Sequence, residues 1–130
     1  MNLRSAFLAA AVASATLLTA CMSAPMTPPP PTMMAGGVLT GTNQMTLYTF
    51  DKDTADSGKS VCNGMCAKNW PPLMADAGAM ASGSYSIITR DDGGRQWAFK
   101  GKPLYFWVKD SKPGDMTGDG FNNLWRVAKP

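Results

Sequence analysis

The sequence predicts an all-β fold: a small antiparallel sandwich or barrel-like meander of six or seven short strands, built from two tandem repeats and including one short helical turn. Three observations predict it. Short runs alternate apolar and polar residues with the two-residue period of strands. Gly-bearing polar clusters separate those runs. One run returns later in the chain, so the domain reads as duplicated. Helical periodicity is sustained nowhere.

Val38-Leu39-Thr40 is a candidate first strand. In Thr46-Leu47-Tyr48-Thr49-Phe50, alternation places Tyr48 and Phe50 on one face and Leu47 and Thr49 on the other. Met65 to Trp70 has room for one helical turn before Pro71 and Pro72 end it. Tyr85 to Arg90 and Arg95 to Lys100 read as a hairpin turning at Asp91-Asp92-Gly93-Gly94, where glycine supplies the positive φ of a tight turn. Pro103 marks the start of the next strand rather than its centre, because proline cannot donate to a ladder. In that strand Tyr105 and Trp107 share one face, and Leu104, Phe106 and Val108 make the other face apolar too, which predicts deeper burial. Leu124 to Ala128 is the last short strand.

The repeat is explicit. Leu47-Tyr48-Thr49-Phe50-Asp51-Lys52-Asp53 is answered by Leu104-Tyr105-Phe106-Trp107-Val108-Lys109-Asp110, and each copy leads through a Gly-containing loop to a tryptophan, Trp70 and Trp125.

Composition narrows function. The chain has 130 residues and a net charge of only +3, too small a surplus for a nucleic-acid partner. There is no histidine, which removes the commonest general base and metal ligand. No nucleophile elbow, phosphate loop or dinucleotide fingerprint occurs. The expectation is a protein that is not an enzyme and carries no cofactor.

The N-terminus shows Arg4 ahead of an apolar run from Ala6 to Leu18, too short for a confident membrane span, followed by small residues. Leu18-Thr19-Ala20-Cys21 resembles the lipobox of bacterial lipoproteins, which implies cleavage before Cys21 and acylation of its sulfur. Several acyl chains anchor stably where one binds only marginally. Met22 is not the Asp that marks inner-membrane retention in well-studied sorting, which favours the periplasmic face of the outer membrane. From Met22 to Gly37 the chain is rich in Pro and Met, with Pro28 to Pro31 consecutive, a composition that favours extended polyproline II over a packed core. Three segments follow: a signal peptide at 1–20, a lipidated Cys21 with a flexible tether at 21–37, and the duplicated domain at 38–130.

Cys62 and Cys66 remain in an oxidising compartment, and an even pair there suggests a disulfide. The loop is so short that the chain-entropy model gives only about 2 kcal/mol. A thiol-disulfide redox pair and a soft-metal site are the alternatives, although the spacing differs from thioredoxin-like motifs.

Beyond the lipobox, the chain resembles the predicted bacterial lipoproteins of the secreted-repeat type, which carry a Tyr-x-[Phe/Trp/Tyr]-x-x-Asp motif. Tyr48, Phe50 and Asp53 match it, as do Tyr105, Trp107 and Asp110. Cys62 to Leu73, Gln96 to Tyr105 and Trp125 to Pro130 are similar to further segments of that family. The resemblance implies an exported lipoprotein of unknown function.

Asp53 and Asp110 invite an acid–base or metal reading, but each stands just past an aromatic strand, where Asp commonly accepts backbone N–H bonds to fix a turn. Tyr48, Phe50, Tyr105 and Trp107 are expected to be core rather than a ligand face. Asp115-Met-Thr117-Gly-Asp119-Gly120 resembles the opening of a calcium loop, yet Arg126 stands where the closing Glu belongs. Ten methionines, Met65 among them inside the Cys62–Cys66 loop, suggest copper handling, since thioethers and thiolates select Cu(I). The leading expectation is a non-enzymatic, membrane-anchored envelope lipoprotein that binds an unknown protein or small ligand. A periplasmic copper- or calcium-binding protein and a redox protein are the alternatives.

Overall fold

The structure, a computed structural model, describes residues 10–17 and 27–130. Most of the expected signal peptide, and Cys21 with it, lies outside the described residues. Among the described residues no helix is long and apolar enough to cross a membrane.

Seven strands form three small antiparallel sheets: β1 (Thr32–Ala35) with β2 (Val38–Gly41), β3 (Tyr48–Phe50) with β7 (Trp125–Val127), and β4 (Tyr85–Thr89), β5 (Arg95–Phe99) and β6 (Lys102–Pro103) in that order. One short helix, α1 (Met65–Asn69), and a 3-10 turn at Phe121–Asn123 complete the elements of the described residues. Among the described residues no sheet closes into a barrel. Pro103 sits in edge strand β6, where its missing N–H leaves no ladder bond unmade.

β1 lies inside the stretch expected to be tether, so strand pairing begins at Thr32 rather than Val38. The cause is Gly36-Gly37, with φ of 58° and 81°, a two-residue turn of the handedness that suits strand twist. The hairpin at Asp91–Gly94 forms as expected, with Gly93 at φ 85° and the Arg90 amide donating to Gly94 at 2.7 Å. The second motif copy departs from expectation. Tyr105 is held by single bridges to Tyr48 and Pro72 instead of a long ladder, and Val108 is exposed because the chain already turns there.

The two repeats are interwound. Tyr48 and Tyr105, equivalent residues, exchange both backbone bonds, at 2.8 and 2.9 Å, as a local twofold axis between them requires. Each repeat's tryptophan segment pairs with the other's motif strand: Asp51 donates to Leu124 at 2.8 Å, and in the matching place Val108 donates to Asn69 at 3.1 Å. Closed rings of three backbone bonds recur as well. Leu47 donates to Leu39, Leu39 to Ala128 and Ala128 to Leu47; the second copy repeats this with Leu104, Trp97 and Leu73.

Two clusters make the core. One joins Tyr48, Phe50, Trp70, Tyr105, Trp107 and Trp125 with Cys62 and Val127; the other centres on Leu39, Leu47, Leu104 and Ala128. In the first, Trp70 is sandwiched between Trp125, at 3.8 Å between ring centroids, and Trp107, at 3.9 Å, and Phe50 extends the stack at 4.3 Å from Trp125. Stacked pairs contribute about 0.5–1.5 kcal/mol each beyond the area they bury.

Candidate functional site

The motif residues converge on the local twofold axis. Tyr48 and Tyr105 have no exposed surface, and Phe50 and Trp107 are also buried, so all four aromatics are core. The Tyr48 hydroxyl donates to Asp110 Oδ2 at 2.6 Å and the Tyr105 hydroxyl to Asp53 Oδ2 at 2.5 Å. Each tyrosine therefore reaches the aspartate of the opposite repeat. The second oxygens fix the turns: Asp53 Oδ1 accepts the Val61 N–H at 2.8 Å, and Asp110 Oδ1 accepts the Thr117 N–H and hydroxyl at 3.0 and 2.6 Å.

Burial is the main cause, and the facing carboxylate the next, of a phenol pKa held well above the usual tyrosine value in both Tyr48 and Tyr105. Both hydroxyls stay protonated and act as fixed donors. Each carboxylate is occupied by a tyrosine hydroxyl of the opposite repeat and by donors of its own turn.

A polar chain runs on from Tyr105. Its only proton goes to Asp53, so the Ser60 hydroxyl donates to the Tyr105 oxygen, at 2.6 Å. Ser60 Oγ accepts in turn from the Cys62 amide at 3.2 Å and from Arg90 Nη1 at 3.1 Å. Arg90 is 4% exposed. It also donates to Gln96 Oε1 at 2.7 Å and to the carbonyl of Cys62, while Gln96 Nε2 donates to the Leu104 carbonyl at 2.7 Å. Among the described residues Arg90 forms no salt bridge. Full satisfaction by oxygen acceptors is what makes a buried guanidinium tolerable. Sequence reasoning missed Arg90, Ser60 and Gln96, since nothing in their local pattern marks a polar residue as buried.

Cys62 and Cys66 form a disulfide, with Cα atoms 5.2 Å apart. Cys62 is buried against the aromatic stack, and bonded sulfurs offer no thiolate to a soft metal. Met65, beside them, is exposed. In the calcium-like run, Asp115 instead receives Ser111 and Lys112 amides, at 2.9 and 3.2 Å, which with Lys112 lower its pKa to about 2. Asp119 Oδ1 accepts the Val127 N–H at 3.1 Å, so these two carboxylates serve separate turns.

One surface feature lies away from the axis. Cross-strand pairs Tyr85↔Phe99 and Ile87↔Trp97 put Tyr85, Trp97 and Phe99 on one face of β4 and β5, half-buried, with Tyr85 and Phe99 packed against the second core cluster. These rings, Pro28–Pro31 and the segment around Met80 together line a groove of about 620 Å³. No charged side chain lines it. Alternation made the two strands legible, but not which face would stay uncovered.

Fold and site together define a duplicated, disulfide-stapled β-domain closed by reciprocal Tyr–Asp bonds between its halves. A family model described as a secreted repeat of unknown function matches residues 32–74 and again 86–129. The chain belongs to that family of secreted repeats, whose secreted character makes this an exported protein. No curated protein matches the chain. No solved structure matches it either.

Proposed function

We propose that the chain is a non-enzymatic envelope lipoprotein, anchored by acyl chains on Cys21, whose duplicated domain serves as a binding module on the periplasmic side. The observation that carries this reading is the internal use of Asp53 and Asp110. The two carboxylates best suited to acid–base or metal chemistry are spent on Tyr105, Tyr48 and their own turns. The domain's surface includes a groove lined by uncharged and aromatic side chains. Export, the lipobox-like Leu18-Thr19-Ala20-Cys21 and the proline-rich stretch that follows support the anchor. Lipidation puts several acyl chains in the bilayer, and each buried methylene contributes about 0.8 kcal/mol. Cell fractionation tests the anchor. A Cys21→Ser variant is expected in the soluble fraction, and its retention in the membrane would refute the reading.

A further inference from the structure

The groove beside β4 and β5 is a feature the fold does not require. The hydrogen-bonded ring that contains Trp97 in the second repeat contains Leu39 in the first, and two residues on, Gly41 stands where Phe99 does. Leu39 and Gly41 are both buried. The same hairpin is thus built in the first copy without any half-buried aromatic face.

We propose that this groove docks proline-rich segments in the polyproline II conformation, and that its resident occupant is the chain's own Pro28–Pro31 run. The inference rests on reading the domain as a binding module and adds the chemical class of its ligand. Three aromatic rings standing side by side offer the ridged apolar surface on which proline rings pack: Tyr85 lies 5.1 Å from Phe99 and 6.4 Å from Trp97, centroid to centroid. A polyproline segment is already ordered in solution and so gives up little conformational entropy on docking. Among the described residues no charged side chain lines the groove, and the ammonium of Lys100 stands over the Phe99 ring, 5.3 Å from its centroid.

Chain geometry delivers the run to this place. Pro31 adjoins Thr32, whose hydroxyl is hydrogen-bonded to the Tyr85 hydroxyl, so the chain is pinned where it passes the aromatic wall. Pro28, Pro29 and Pro30 remain exposed and open space remains in the groove, so the resident is held loosely. Tethering supplies an effective concentration in the millimolar range.

The test follows the indole N–H of Trp97 by NMR in the full chain, its signal identified by loss in Trp97→Phe. Replacing Pro28, Pro29, Pro30 and Pro31 together by Ser is expected to move the Trp97 signal and leave those of Trp70, Trp107 and Trp125 in place. A peptide Thr-Pro-Pro-Pro-Pro-Thr should bind the substituted chain at least about twofold more tightly than the parent, since the resident no longer competes. The peptide with Ala for Pro should not bind either. A Trp97 signal indifferent to the substitution, or equal peptide affinity for both chains, removes the resident occupant. No response to the proline peptide at millimolar concentration overturns the site itself. Because these readouts do not depend on Cys21 processing, a chain that fails them yet fractionates with membranes loses only the proline reading.

Discussion

Tyr105 and Tyr48 each hold one proton that the fold will not release. Their phenols are destabilised as phenolates by burial and by the carboxylates of Asp53 and Asp110, so the unfolded chain ionises first as pH rises. This contribution to stability is fully present below the ordinary tyrosine value of about 10 and is lost progressively above it. Denaturant midpoints measured from pH 8 to 11 should therefore hold level and then fall, and the Tyr48→Phe, Tyr105→Phe double variant should flatten that fall. Deleting an acceptor is a sharper change. Asp110→Ala leaves the buried Tyr48 hydroxyl without its acceptor, with an expected loss of about 1–3 kcal/mol in equilibrium unfolding. Adding Tyr48→Phe to that variant should recover part of the loss, since the orphaned hydroxyl disappears. Sequence showed Asp53 and Asp110 as turn residues, which they are through Oδ1. Their Oδ2 bonds to the opposite repeat were not legible, because a cross-repeat partner depends on how the halves dock and not on local pattern.

At the scale of elements, the tight places are set by glycine. Gly118 passes so close to the aromatic stack that an added Cβ would stand 2.7 Å from the Trp70 ring and 3.1 Å from that of Trp107. Gly118→Ala must push the stack apart, with an expected cost of about 1–3 kcal/mol and a changed near-ultraviolet circular dichroism spectrum. The short Cys62–Cys66 loop constrains the unfolded chain little. Its Cys62→Ser, Cys66→Ser double variant should lose roughly 2 kcal/mol and still fold, as thermal unfolding can check. The hairpin at Asp91–Gly94 and the helical turn from Met65 were readable because Gly-rich turns and proline stops act locally. β1 was hidden because Met- and Pro-rich composition outweighed the Gly36-Gly37 turn signal that creates it.

For the whole molecule, duplication was visible in the repeated Leu-Tyr-x-aromatic-x-Lys-Asp run, while the interwinding was not. Since β3 pairs with β7 and the Trp70 segment crosses to the other motif strand, each repeat's motif strand and tryptophan segment lose their hydrogen-bond partners when the halves separate, although the β1–β2 and β4–β5–β6 pairings lie within one repeat each. Tryptophan fluorescence and far-ultraviolet circular dichroism should accordingly report one coincident unfolding transition, and two separate transitions would show that the halves are independent. A body whose described buried polar side chains all find partners suits the proposed module, held at the membrane surface and presenting a groove. The most direct measurement of that central claim is intact-mass analysis of the chain recovered from the cells that export it. The account predicts a mature N-terminus at Cys21 carrying fatty-acyl mass, and a retained leader or an unmodified Cys21 thiol would contradict it.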